Sequence, residues 1–263
     1  MQKKDFIYEG KAKQVYSTDD ENLVIIHYKD DATAGNGVKK GTIKDKGIIN
    51  NKITAKLFSV LEKNGIRTHF KEMLNDRDQL CEKLEIAPRR TSGFDDESFT
   101  RGKVPMTKQE VRSVILSKLG IKEGETVWDV GAGTGSVSVE MALAASEGTV
   151  SPIEYGDPLI NDYHAVAMGL ATFDELKYIY ETTSKINDLL KKVFDEEGIT
   201  LVDFKIEFGK NSKGEILLAD EITPDTCRLW DKTTGKKLDK DRFRQDLGGI
   251  EEAYIEILNR LEA

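Results

Sequence analysis

The chain has 263 residues, 38% of them hydrophobic and 33% charged, with 22 Gly. At roughly 150 residues per domain this lies between one domain and two, and the composition excludes collagen-like, disordered and disulfide-framework proteins. No apolar run reaches the ~18 residues of a membrane-spanning helix, and 39 Lys+Arg against 47 Asp+Glu give a net charge of −8, a poor balance for non-specific nucleic-acid binding.

The opening MQKKDFIYEGKAK lacks the apolar stretch of a secretory signal, and Cys81 and Cys227 make no metal or redox pattern, so a cytoplasmic location is expected. DFIYEG, KQVYST and NLVIIHYK predict a three-stranded meander. KDDATAGNGVKKGTIKDKG is expected to be a polar loop. INNKITAKLFSVLEKNG predicts a helix closed by Gly65, and IRTHFKEM and QLCEKLEI predict two strands around the turn NDRD.

After Pro88 the run RRTSGFDDESFTRGKVP has no period. Thr107 with Glu110 predicts a capped helix whose apolar face is Val111, Val114, Ile115 and Leu119. TVWDVGAGTG predicts a strand entering a Gly-rich turn, SVSVEMALAASEG a helix, and TVSPIE a weak strand interrupted by Pro152.

Thr172 with Glu175 is a second capping box, opening a long helix with Leu176, Ile179, Thr183, Ile186, Leu190 and Val193 on one face and its end at Gly198. ITLVDFKIEFG and GEILLADEI predict a hairpin. Alternation puts Asp203, Lys205 and Glu207 on one strand face and Val202, Phe204, Ile206 and Phe208 on the other, as core. With Asp220 and Glu221 on the next strand, these carboxylates suit a Mg²⁺–triphosphate site. A solvated, ion-paired strand face accounts for the same spacing. TPDTCRLWDKTTGKKLDK is expected to be a loop, which carries Asp225, Arg228, Trp230 and Asp231. There the Arg228 fork suits phosphate or carboxylate and Trp230 serves as an anchor. A final helix is expected to break at Gly248–Gly249.

Several stretches in fixed order resemble the SAICAR synthetase family. They are IYEGKAKQVYST, DDATAGNG, KGIINNKITAKLF, DPLINDYH, LVDFKIEFG, LLADEITPDTCRLWD and KDRFRQDLGG, and they cover about residues 1–88 and 151–263. The resemblance implies an α+β fold with a two-lobed, kinase-like or ATP-grasp-like ATP cleft: a small antiparallel lobe (1–88) and an α+β lobe (151–263). It implies an ATP-dependent carbon–nitrogen ligase of purine biosynthesis joining L-aspartate to 5-amino-1-(5-phosphoribosyl)imidazole-4-carboxylate, with ATP and Mg²⁺ as cofactors. Its partners would be these small molecules, with no nucleic acid and no membrane; members are often homo-oligomers.

By motif, Lys11, Lys13 and Gly10 would meet the nucleotide phosphates, and Glu207 and Asp220 would hold Mg²⁺. Asp203, Lys205 and Arg228 would be catalytic. Arg228 and Asp225 would meet the imidazole ribonucleotide, and Ala34, Gly35, Asn36 and Gly37 would close over substrate.

Residues 89–150 depart from that pattern. The family's E-V-V-V-R-N strand, its A-A-G-S stretch and its F-Y-Y-K-x-D stretch have no counterpart. FTRGKVPMTKQEVRSVILSKLGIKEGETVWDVGAGTGSVSVEMA instead resembles the start of decarboxylating precorrin methyltransferases. The resemblance implies an S-adenosylmethionine loop at Asp129, Gly131, Gly133 and Gly135, with Glu154 placed to take ribose hydroxyls. Two strands at most cannot build the six or seven of a doubly wound methyltransferase. The reading is therefore a ligase with an exchanged central segment. An S-adenosylmethionine-binding, methyltransferase-like protein and an inactive chimeric scaffold are the alternatives.

Overall fold

The computed structural model describes residues 1–34, 39–84, 108–119, 162–167 and 170–262. The chain divides into two compact units, one of Met1–Ile86 with Ile179–Ala263 and one of Ala87–Tyr178. No described helix is long and apolar enough to cross a membrane.

In the first unit, β1 (Phe6–Glu9), β2 (Lys13–Ser17) and β3 (Leu23–Tyr28) form the expected meander. β6 (Phe70–Met73) and β7 (Asp78–Glu82) complete an antiparallel sheet of order β1-β2-β3-β7-β6. The central strand β3 is buried on both faces: Val24, Ile26 and Tyr28 pack with Cys81, and Ile25 is 1% exposed on the other side. The polar stretch after Tyr28 is not a plain loop. It contains a hairpin of β4 (Asp31–Ala34) and β5 (Lys39–Thr42), whose small and β-branched residues pair Thr33 with Lys40.

Helix α1 (Lys46–Lys63) begins three residues before the expected Ile49. Its start is pressed against β3, and a Cβ on Gly47 would stand 2.4 Å from the Tyr28 carbonyl oxygen, so only glycine fits. Gly65, at φ 82°, closes the helix as expected: Ile66 N–H donates to Leu61 O and Gly65 N–H to Glu62 O, each at 3.0 Å. Ile49, Ile53, Leu57, Phe58 and Leu61 of α1 enter the main core. There they meet α4 (Phe173–Glu196), α6 (Ile250–Glu262) and the strands of the C-terminal part.

The Thr172 box is formed: Thr172 N–H donates to Glu175 at 2.8 Å and Glu175 N–H to Thr172 Oγ1 at 3.2 Å. On α4, Ile186 and Leu190 are buried as expected, with Thr182 and Phe194 beside them; Leu176, Ile179, Thr183 and Val193 are half-buried. Gly198 at φ 67° ends the run. Gly248 and Gly249, both at positive φ, separate α5 (Asp241–Arg244) from α6.

The C-terminal strands differ from the expected hairpin. ITLVDFKIEFG is two strands, β8 (Ile199–Phe204) and β9 (Glu207–Lys210), which part at Lys205–Ile206. β9 pairs with β10 (Ile216–Ala219), as expected. β8 pairs instead with β11 (Cys227–Asp231), which lies inside the supposed loop. CRLWD alternates: Cys227, Leu229 and Asp231 are buried, Arg228 is exposed and Trp230 half-buried. Register slips between Arg228 and Leu229 of β11, so that Asp203 and Leu201 face consecutive residues and Val202 is the extra residue of a bulge. Val202 is therefore 40% exposed rather than core, while Phe204, Ile206 and Phe208 pack on the core edge.

In the second unit, α2 (Gln109–Leu119) and α3 (Asp162–Ala167) are described. Val111, Val114 and Leu119 are exposed, against expectation. Among the described side chains of α2 the buried ones are Arg112 and Leu116, four residues apart, with Ile115 half-buried. Thr107, Gly35, Asn36, Gly37, Asp129, Gly131, Gly133, Gly135 and Glu154 lie outside the described residues.

Candidate active site

Two loops and three strand ends of the first unit carry the site. β1 and β2 are joined by a tight turn in which Gly10 N–H donates to Lys13 O at 2.8 Å, presenting Lys11 as an exposed side chain at the tip. Lys13 begins β2 and turns inward. Its ammonium pairs with Asp220 and, at 3.3 Å, with Glu221, and it lies 5.8 Å from the centre of the Tyr28 ring.

Asp220 follows β10 at φ 59°, a left-handed conformation that aspartate tolerates better than most residues. This turn ends the strand and sets two successive carboxylates against one cation. The end of β10 is fixed from behind. Leu218 N–H donates to Arg67 O at 3.0 Å, His69 N–H to Leu218 O at 2.9 Å, and the His69 ring lies 3.3 Å from Asp220 O.

Burial governs the charges here. It would depress the Lys13 ammonium, but Glu221 and Asp220 outweigh it and raise Lys13 well above the usual lysine range. Burial raises Glu221 despite the attraction of Lys13, whose ammonium lies 3.3 Å from Glu221 Oε2. Burial and the Lys13 charge push His69 down to about 4, so its ring is neutral at neutral pH.

A second group lies behind the first. Asp225, with a side chain 3% exposed, receives Lys46 Nζ at 2.6 Å and Asn50 Nδ2 at 3.1 Å on Oδ2. Its Oδ1 receives the Tyr254 hydroxyl at 2.7 Å, with Lys240 Nζ at 3.5 Å. Burial would raise this carboxyl, but Lys46 and Lys240 hold it at about 2. Asp225, expected at the substrate, is thus enclosed and supplied with donors.

The third group is exposed. Arg228 grips Asp203 with a two-pronged contact, Nε to Oδ1 at 2.9 Å and Nη2 to Oδ2 at 2.5 Å, both side chains about half-exposed. The two residues are cross-strand partners in register. Lys205 pairs with Glu207, again on the surface.

Asp203, Lys205 and Glu207 therefore do not share one strand face, because the chain changes partner between β8 and β9. Two links keep them in one neighbourhood: Lys205 N–H donates to Thr226 O at 2.8 Å, and Glu207 pairs with Ala219, next to Asp220. Ala34 is half-buried at the end of β4.

The sequence reading missed Lys46, Asn50, Lys240, Tyr254, Tyr28 and His69. Lys46 stood in a segment read as loop, and nothing in its local pattern marks a lysine that α1 buries completely. Tyr254 is legible only as one of the apolar positions of α6, since its hydroxyl partner is 29 residues away.

Asp220, Glu221 and Glu207 offer hard oxygen donors, and the first two already hold a cation, the Lys13 ammonium. This donor chemistry fits Mg²⁺. Among the described residues no group of three His, Cys, Asp or Glu side chains could hold a metal alone. Mg²⁺ takes one or two protein carboxylates and completes its shell with water and phosphate.

A family model described as SAICAR synthetase matches residues 6–126 and 141–261, and one described as a precorrin methyltransferase domain matches 97–184. The chain is 60% identical over 261 residues to a phosphoribosylaminoimidazole-succinocarboxamide synthase of Fusobacterium nucleatum, covering 99% of this chain and 98% of that protein. It is 51% identical over 266 residues to the protein of the same name from Clostridium botulinum strain Hall, covering 99% of each. A crystal structure of a protein so named from Ehrlichia chaffeensis is similar with a TM-score of 0.71 at 35% identity, over 98% of this chain and 99% of that one. A SAICAR synthetase in complex with ADP is similar at 0.70 and 36% identity, over 98% and 97%.

Proposed function

The chain belongs to the SAICAR synthetase family and is an ATP-dependent carbon–nitrogen ligase; we propose that the Lys13–Asp220–Glu221 cluster is its nucleotide-facing centre. The reaction joins L-aspartate to 5-amino-1-(5-phosphoribosyl)imidazole-4-carboxylate at the expense of ATP. We take its course as two displacements. A carboxylate oxygen of the imidazole attacks the γ-phosphorus and ADP leaves; the aspartate amine then attacks the acyl carbon, phosphate leaves and the amine loses a proton. Little covalent work falls to the protein, whose tasks are placement and charge balance.

Each group has a task in this reading. Lys11 at the exposed turn and Lys13 beneath it, with the Gly10 backbone, meet the nucleotide phosphates. Glu207 and Asp220 are the residues that would hold Mg²⁺, which when bound neutralises phosphate charge. Arg228, on the surface and presenting a planar fork, takes the ribose phosphate, releasing Asp203. Asp203 and Lys205 stand beside it at the substrate, and Ala34 to Gly37 close over it. The observation that carries the reading is the half-buried ammonium of Lys13 set against two consecutive carboxylates. Calorimetric titration with Mg-ADP should give binding that Lys13→Met weakens at least tenfold. Absence of heat with the unsubstituted protein at millimolar ligand would overturn it.

A second reading concerns the middle. Our limits are 1–88 and 151–263 for the ligase lobes and 89–150 for an exchanged segment; the unit boundary at Ile86–Ala87 lies near the first limit, while the second unit runs on to Tyr178 and the ligase model itself covers 89–126 and 141–150. The two stretches of the ligase model leave out residues 127–140, VWDVGAGTGSVSVE, and the methyltransferase model spans them. We propose a methyltransferase-like origin for that Gly-rich stretch. S-adenosylhomocysteine should raise the melting temperature if it still binds; no shift at millimolar ligand retires cofactor binding by Asp129, Gly131, Gly133, Gly135 and Glu154.

A further inference from the structure

We propose that Asp225 and Lys46 are positioning residues that fix the turn between the metal-facing carboxylates and Arg228. The inference rests on the ligase reading above. The turn runs from Glu221 to Cys227 and is short and heavily bonded. Thr226 Oγ1 donates to Glu221 O at 3.1 Å, Thr223 N–H to Thr226 Oγ1 at 3.1 Å and Asp225 N–H to Thr223 Oγ1 at 3.1 Å. At one end lie Asp220 and Glu221; one residue past the other lies Arg228. Along its side, Thr226 O accepts the Lys205 N–H, and Pro224 O accepts Lys240 N–H at 3.0 Å. Every proposed substrate-facing group of the C-terminal strands is therefore referred to this one turn.

What holds the turn to the rest of the unit is the Asp225 side chain. It reaches α1 through Lys46 and Asn50, α6 through Tyr254 and the segment before α5 through Lys240. Lys46 is fully buried, and the pair lies beside the main apolar core. A lysine and an aspartate taken wholly out of water are a poor way to gain stability, since apolar residues of equal volume often do as well or better. They are a good way to gain geometry. Four donors converge on two oxygens from three directions, and a carboxylate so enclosed has one orientation. Its neighbour Arg228 and the preceding carboxylates inherit that orientation through three to five residues of chain.

The test compares the unsubstituted protein, K46M, Y254F and the double variant K46M/D225N, all as full chains. Melting temperature, kcat, KM for ATP and hydrogen exchange of the amides of 220–228 are measured on each. Positioning predicts that K46M melts earlier, that the uncharged pair in K46M/D225N recovers most of that loss, and that kcat stays at least thirtyfold down in both with KM for ATP within threefold. Y254F should keep its melting temperature within a few degrees and lose five- to tenfold in kcat. Exchange at 220–228 should quicken at least tenfold in K46M and in the double variant. Recovery of kcat together with melting temperature in the double variant, or unchanged exchange at 220–228, overturns the proposal and leaves a merely structural pair. If the unsubstituted protein makes no product, the ligase reading falls; the exchange measurement still decides for or against positioning.

Discussion

Two sets of ion pairs in the first unit have the same chemistry and opposite settings. Asp203–Arg228 and Lys205–Glu207 lie on the surface with about half of each side chain exposed. Lys46–Asp225 is buried, and in Lys13–Glu221 a buried carboxylate meets a half-buried lysine. Water and salt screen the first set, so each pair contributes little to stability and its members can exchange partners. Lys46–Asp225 has lost its hydration and holds its members in place. The difference teaches where to look for each kind of work. Arg228 is exposed and its pairing with Asp203 is screened by water, whereas Asp225 is committed to the protein.

This contrast can be broken most forcefully at Asp225. Asp225→Ala leaves the Lys46 ammonium buried without its partner and should cost about 3–5 kcal/mol by denaturant unfolding. A change under about 1 kcal/mol would mean that water reaches the pair.

His69 tests the same buried region by pH. Its folded pKa, about 4, lies below the ordinary value near 6.5. The unfolded chain therefore binds a proton that the folded chain refuses between these values. Stability should fall by up to about 3 kcal/mol as pH drops from 6.5 to 4, and His69→Gln should flatten that slope. Asp225, held at about 2, has the depressed carboxylate's sign: its contribution is complete above pH 4 and is lost as pH falls toward 2.

The smallest expected stability effect belongs to the exposed pair. Arg228→Ala should change unfolding free energy by under about 1 kcal/mol, yet lower kcat/KM for the imidazole ribonucleotide at least a hundredfold. A larger stability loss than activity loss would reverse the contrast.

Much of this was legible from local pattern. The meander, the helix closed by Gly65, the Thr172 box and the Gly248–Gly249 break are written in short-range signals: alternation, a cap and residues that accept positive φ. The failures are long-range. A continuous alternation from Ile199 to Gly209 does not reveal that the chain changes partner at Lys205, because both halves obey the same period. CRLWD alternates as clearly as any strand here, but polar turn residues on both sides masked it. The site divides in the same way. Lys13, Asp220 and Arg228 were visible as motif residues, whereas the burial of Asp225 and its contacts with Lys46 and Tyr254 exist only once α1 and α6 close on the turn. Val111, Val114 and Leu119 repeat the lesson on α2, where a helical period was present and the buried side chains are Arg112 and Leu116.

The central claim is the ligase reaction itself, and product formation tests it directly. The full chain is incubated with the imidazole carboxylate ribonucleotide, L-aspartate and Mg-ATP, and the succinocarboxamide product, ADP and phosphate are followed together. The expected result is one ADP and one phosphate for each product, with no product when aspartate is left out. No product at high enzyme concentration, or ATP consumed without aspartate incorporation, would contradict it.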